Sequence, residues 1–152
     1  VDLRELVEGV LSTLASQAQT KGLALRFEAA PAPIVLPTDR RLVTQILINL
    51  VANGIKFTHQ GGVSVALIAQ PGPQALPVVE IQVSDTGIGI PPEALGQLFD
   101  AFNRGKGAAI QGIEGTGLGL HLSQRLAHAL GGRITVHSVL GQGSCFTLRL
   151  GG

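Results

Sequence analysis

Between Val83 and Pro91 the chain reads Val-Ser-Asp-Thr-Gly-Ile-Gly-Ile-Pro, which sets one carboxylate, Asp85, at the head of a glycine-bearing loop. A carboxylate at the mouth of a fold accepts hydrogen bonds, and the exocyclic amine of an adenine ring is a donor it would suit. Gly87 and Gly89 withhold side-chain bulk from the loop, so a flat ligand can come close to the backbone. Asp-Thr-Gly is equally ordinary turn chemistry, and alone it leaves both readings open. Asn49, Asn53 and Lys56 are spaced i, i+4 and i+7, one stripe of a helix. Two carboxamide oxygens and an ammonium on one stripe could hold a hydrated magnesium ion and a phosphate chain. A solvated helix face is the plain alternative, although two asparagines in mid-helix are poor helix formers and ask for a reason. A third candidate is Gly115-Thr116-Gly117-Leu118-Gly119-Leu120, which runs straight into a leucine-bearing helical pattern. Glycines there leave free N–H groups and the positive end of a helix dipole, a phosphate site. The Walker-type lysine is missing, and the cluster comes too late in the chain for a dinucleotide-binding fingerprint.

The elements that must position these residues follow from periodicity. Leu3, Leu6, Val7, Val10, Leu11, Leu14 and Ala18 predict an amphipathic helix ending near Gly22. Leu23, Leu25 and Phe27 alternate as a strand, and Pro31, Pro33 and Pro37 mark a loop containing a short extended piece. A second helix begins at Asp39, with Thr38 or Asp39 as N-cap, and its core face is Val43, Ile46, Leu47, Leu50 and Val51. Val63, Val65, Leu67 and Ala69 form a strand, and Pro71 to Pro77 a long hairpin connection. Val79, Ile81 and Val83 form the strand that delivers Asp85. Pro91-Pro92-Glu93 starts a short helix that carries Leu95, Leu98, Phe99 and Phe102. Residues 103–115 show no sustained periodicity and are expected to form a mobile lid. The last helix, with Leu122, Leu126 and Leu130 on its apolar face, is followed by two strands, Ile134–Val136 and Phe146–Leu150. This order predicts an α+β, two-layer sandwich: a mixed, largely antiparallel sheet with helices on one face. No repeat or interdomain linker is visible, so residues 1–152 read as a single domain.

Composition removes other classes. Eleven Lys and Arg against ten Asp and Glu, well dispersed, argue against nucleic acid as a partner. No apolar run reaches membrane-spanning length and no secretory leader opens the chain, so this segment is expected to be cytoplasmic and without membrane contact, even if its parent is anchored. Cys145 is the lone cysteine, set in a strand pattern, and the four histidines make no metal-ligand spacing with it.

Together the motifs resemble the catalytic and ATP-binding domain of sensor histidine kinases, in the wider group of type II topoisomerases, a heat-shock chaperone family and mismatch-repair ATPases. The N box is similar to Gln45–Thr58 with Asn49, Asn53 and Lys56; the first glycine box to Asp85–Pro91; the F box to Leu98–Arg104; and the second glycine box to Gly115–Leu120. Four boxes in the family's order cover nearly the whole chain. The resemblance implies the Bergerat-type ATP-binding fold. It also implies ATP and Mg2+ as ligands, with Asn49 and Asn53 holding the metal and Asn49, Lys56 and Arg104 serving catalysis at the phosphates. Asp85 would receive the adenine amine. Asn53, Gly87, Gly89, Ile90, Phe102, Gly115, Thr116, Gly117, Leu118, Gly119 and Leu120 would complete the nucleotide site. The implied reaction is attack by a histidine nitrogen on the γ-phosphorus of ATP. That histidine is expected on a separate dimerisation domain of the same parent kinase, with a response regulator or receiver domain downstream. His59, His121, His128 and His137 lack the acceptor motif and read as structural or solvated. ATP-hydrolysing relatives carry glutamate where this chain has Asn49, so direct hydrolysis should be feeble. Gly54 and His121 stand where the family often has alanine. An anti-sigma-type serine kinase, an ATP-driven clamp and a non-catalytic nucleotide-binding module are the rival readings.

Overall fold

The computed structural model describes residues 1–28, 33–70, 77–95 and 118–151. Along the chain come α1 (Leu3–Thr20), β1 (Ala24–Glu28), α2 (Arg40–Lys56), β2 (Gly62–Gln70) and β3 (Val78–Asp85). They are followed by α3 (Pro92–Leu95), α4 (Leu118–Ala129), β4 (Arg133–Val139) and β5 (Gly143–Leu150). This is the predicted order. The expected lid at 103–115, the helical continuation through Leu98, Phe99 and Phe102, and residues 71–76 of the proline-rich connection lie outside the described residues.

Local chemistry explains where the long helices start. Asp2 Oδ1 accepts from the backbone N–H groups of Arg4 and Glu5, at 3.0 and 3.3 Å, and caps α1. Asp39 does the same for α2 through Arg41 and Leu42, at 2.9 and 3.2 Å, which decides between Thr38 and Asp39. The extended piece between the prolines is real. Val35 bridges Asp2, and Leu3 N–H donates to Ile34 O at 2.9 Å, which tethers the loop to the start of α1. Ile34 and Leu36 are buried while Val35 points outward.

The five strands form one sheet in the order β1-β2-β3-β5-β4, with β1 parallel to β2 and the other pairs antiparallel. Strand parity sends Val63, Val65 and Leu67, with Val79, Ile81, Val83, Leu148 and Leu150, into one core with α1 and α2. Ser64, Gln82 and Thr147 take the other parity, together with Ala66 and Ile68, so the opposite face is mixed rather than a second core. Asp85 shares the parity of Val83 and pairs with Val63, so it stands at the end of the helix-covered face. The free edge of β4 is blunted by α4: Gln124 donates to Ile134 O and accepts from Ile134 N–H, both at 2.9 Å.

The face of α4 differs from its leucine pattern. Leu122 is 45 % exposed, while Ser123 and Ala127 are fully buried and Leu126 and Leu130 pack at the rim of the core. Ser123 meets Asn49 of α2 and Ala127, one turn on, is buried with it, so the buried stripe is set one residue away from the leucine spacing.

Lys21, just past α1, reaches across to the end of α2, where its Nζ donates to Ile55 O at 2.7 Å and Lys56 O at 3.0 Å. An ammonium at a helix C-terminus answers the end carbonyls and the negative dipole end. Lys21→Ala should cost about 0.5–1 kcal/mol of stability in urea titration. An unchanged midpoint would mean that the side chain contributes nothing in solution.

Candidate functional site

Asp85 is half-buried at the end of β3. Its Oδ1 accepts from Gly87 N–H at 2.9 Å and from Ser144 N–H at 3.3 Å, while Oδ2 accepts no hydrogen bond among the described residues. One oxygen is thus anchored by the protein and the other remains able to accept from a ligand. Burial pushes the carboxyl pKa above its ordinary value of 3.8, and the two backbone N–H groups pull it partly back.

The loop that follows is clamped from two sides. Thr86 Oγ1 accepts from Gly62 N–H at 3.1 Å and donates to Gln60 O at 2.9 Å, which ties the loop to the start of β2. Gly141 N–H donates to Ile88 O at 2.7 Å, and Ile90 N–H donates to Ser138 Oγ at 2.8 Å, which ties it to the β4–β5 turn. A Cβ on Gly87 would collide with Phe57 O, and one on Gly89, where φ is +73°, with Val139 O. The expectation that these glycines make room for a ligand is corrected in one respect: the space they free is filled by the protein's own backbone. They shape the pocket by letting its wall close on neighbouring turns.

The second component is α2. Asn49 and Asn53 are half-buried and Lys56 is exposed, so the stripe is less open to solvent than its polarity implies. Gly54 packs on the site: a Cβ there would lie 3.1 Å from Val63 Cγ2 and 3.6 Å from Asp85 Cβ. The turn of α2 that bears Asn53 therefore lies directly against Asp85. At its other side Asn49 Nδ2 donates to Ser123 Oγ of α4 at 3.0 Å, and Asn49 Oδ1 accepts from Gln45 Nε2 at 3.3 Å. Lys56 Nζ stands 5.7 Å from the Phe57 ring centroid. Among the described residues Thr58 Oγ1 alone is a buried side-chain oxygen without a hydrogen-bond partner, at the end of this same segment.

The α2 turn bearing Asn53 is thus brought against Asp85, with Asn49 one turn back and exposed Lys56 at the end of the same helix, and with Gly119 at the exposed start of α4 tied in through Ser123, whose hydroxyl donates to Gly119 O at 2.8 Å. Ile90 is buried in the core, and Leu120 packs against it. Leu118 begins α4. Phe102, Arg104, Gly115, Thr116 and Gly117 lie outside the described residues. His59, His128 and His137 are exposed and His121 is half-buried. Cys145 is a free, half-buried residue of β5. An open hollow of about 320 Å³ beside Arg26, Ser64, Ser84 and Thr86 borders Asp85 too, but includes no α2 residue. Thr86, Ser123, Ser138 and Ser144 were not singled out from the sequence; the one visible signal was a serine inside a leucine-patterned helix.

The donor set suits a magnesium-bound triphosphate. Amide oxygens are hard ligands, and magnesium is commonly held by few protein groups together with water and substrate phosphate. Among the described residues no three His, Cys, Asp or Glu side chains cluster as an alternative cation site.

Residues 38–151 match the family described as histidine kinase-, DNA gyrase B- and HSP90-like ATPase, and the chain belongs to that family. Among its relatives, histidine protein kinase DivJ of Caulobacter vibrioides is 40% identical over 98% of this chain and 24% of that protein. The aerobic respiration control sensor protein ArcB of Escherichia coli is 39% identical over 99% of this chain and 19% of that protein. The chain thus spans about a quarter or less of the curated relatives it matches. Full-length ShkA, solved in complex with AMPPNP, superposes with a TM-score of 0.84 at 34% identity, over 99% of this chain and 30% of that one. The catalytic domain of the histidine kinase ThkA shares the fold, with a TM-score of 0.78 at 24% identity over 98% of this chain and 93% of that one. The resemblance read from the four boxes and the expected two-layer fold are both borne out.

Because its pKa is raised in the folded state, Asp85 binds its proton more tightly folded than unfolded. Its contribution to stability is complete below the unfolded value near 3.8 and is lost as pH rises through the higher folded value. Asp85→Asn keeps an oxygen for Gly87 and Ser144 but cannot ionise. It should abolish that fall and leave the domain at least as stable as the native chain at neutral pH. Thermal melts from acidic to neutral pH check this; a variant clearly weaker at neutral pH would show that the carboxylate's hydrogen bonds outweigh its burial.

Proposed function

We propose that this chain is the ATP-binding catalytic domain of a two-component sensor histidine kinase, taking Mg-ATP as substrate and passing the γ-phosphoryl group to a histidine on the dimerisation domain of its parent protein. The observation that carries the reading is the half-buried Asp85, one oxygen anchored and the other able to accept, set against the helix that bears Asn49, Asn53 and Lys56. The family match and the named histidine kinases among the relatives support it.

In this reading Asp85 Oδ2 accepts from the adenine amine. Asn49 and Asn53 turn amide oxygens toward the metal, and Lys56 brings its charge to the phosphates. Bound magnesium would supply neutralisation of phosphate charge. The transfer forms an N–P bond at the acceptor histidine and breaks the bond between the γ-phosphorus and its bridging oxygen, releasing ADP. Asn49 has no basic group to activate water, so hydrolysis stays slow while transfer waits for the docked histidine. Arg104, with Phe102 and the glycines of the second glycine box, takes the phosphate-end roles that the resemblance implies. A response regulator or receiver domain is the next acceptor. The domain works in the cytoplasm; no described helix is long and apolar enough to cross a membrane.

Competition against a labelled ATP analogue tests the reading. GTP offers a carbonyl where ATP offers an amine, so Asp85 should favour ATP by about 1–3 kcal/mol. Asn53→Ala should weaken binding in magnesium far more than in chelator, with folding intact. Displacement by GTP equal to that by ATP, or magnesium dependence indifferent to Asn53, would refute the assignment.

A further inference from the structure

We infer that Ser123 of α4 is a positioning residue for the metal-binding carboxamide: it fixes which end of Asn49 faces the substrate. This deepens the proposed function and rests on Asn49 being a metal ligand. A carboxamide has two nearly isosteric ends, and only the oxygen can bind a cation. On a helix face open to water either end could turn inward, and an NH2 group pointed at a dication repels it. Something must choose.

The hydrogen bonds around Ser123 make that choice in two steps. Ser123 is fully buried, so its hydroxyl can find partners only within the protein. Gly119 O, 2.8 Å away, is a carbonyl and can only accept, so the Ser123 proton is committed to it. With its proton so placed, Ser123 Oγ can act toward Asn49 only as an acceptor. Asn49 must therefore present Nδ2, which stands 3.0 Å away, and its Oδ1 faces away from α4. There, among the described residues, Oδ1 meets only the side-chain amide of exposed Gln45, at 3.3 Å, a long contact that a cation can displace. The chain Gly119 O, Ser123 Oγ–H, Asn49 Nδ2 also links the first turn of α4 to the carboxamide on α2. An outer partner that orients a ligand in this way commonly accounts for about 10- to 100-fold of metal affinity.

The experiment measures binding of a non-hydrolysable ATP analogue to the native chain, Ser123→Ala, Asn49→Ala and the double variant, each with magnesium and with chelator. The readout is the ratio of the two affinities, which a merely structural role would not move. Ser123→Ala should lower that ratio about tenfold or more and leave the affinity in chelator unchanged. Ser123→Thr, which keeps a hydroxyl, should preserve it, and the double variant should be no worse than Asn49→Ala. An unchanged ratio in Ser123→Ala, or equal losses with magnesium and chelator, would overturn the positioning role. Should Asn49→Ala itself leave the ratio unchanged, the metal-ligand reading fails first, and separately. A second measurement needs no variant: in the native chain, the Asn49 side-chain NH2 protons should stay in contact with Ser123 by NMR when the magnesium complex forms. An Asn49 amide that leaves Ser123 on loading would overturn the inference as surely.

Discussion

The close approach of α2 to the ends of β2 and β3 is the constraint on which the rest of the structure turns. One side of α2 is committed to the core through Val43, Ile46, Leu47, Leu50 and Val51, all buried. That packing brings Gly54 against Val63 and Asp85, where an added Cβ would be at the limit of what fits. The helix therefore cannot rotate or slide without losing either its apolar face or its contact with the carboxylate. Its remaining polar side, with Asn49, Asn53 and Lys56, is aimed by default. Lys21 holds the far end of the helix and α4 holds its middle. A site assembled from one rigid helix and one strand end is more exact than one made of loops alone.

Asp85 shows how such a site is left incomplete on purpose. Burial raises the energy of its charged form, and two backbone N–H groups return only part of that cost. The remaining oxygen lacks a partner among the described residues, so a donor arriving there gains a charge-assisted hydrogen bond in a partly dehydrated place. The loop around it is held by backbone contacts to Phe57, Val139 and Gly143, which leave no room for side chains. Rigid surroundings and one unanswered acceptor are what selective recognition of an amine needs.

Much of this was legible in the chain because its causes are local. Alternation put Asp85 at a strand end, helical spacing put Asn49, Asn53 and Lys56 on one stripe, and Asp39 signalled the start of α2. The less legible parts depend on partners far apart in sequence. Leu122 reads as a core residue from spacing, yet Ser123 and Ala127 are the buried residues among those described in α4, and Ser123 is the one that meets α2. The glycines of the Asp85 loop read in sequence as room for a ligand's approach, whereas residues about thirty to fifty positions away fill that space. Ser138 and Ser144, whose hydroxyls meet at 2.8 Å across the β4–β5 pair, are ordinary strand residues until β5 pairs with β3 and sets them beside the Asp85 loop. Long-range hydrogen bonds leave no period to read.

The central claim is that the α2 stripe and Asp85 grip opposite ends of one metal–nucleotide complex. The most direct measurement titrates the isotope-labelled chain with ATP in the presence of manganese, a paramagnetic substitute for magnesium, and follows side-chain and backbone amides by NMR. The account predicts strongest broadening at the Asn49 and Asn53 carboxamides, and a nuclear Overhauser contact from the adenine ring to the Gly87 region in the diamagnetic magnesium complex. Broadening centred elsewhere, with the Asn49 and Asn53 signals untouched, would contradict it.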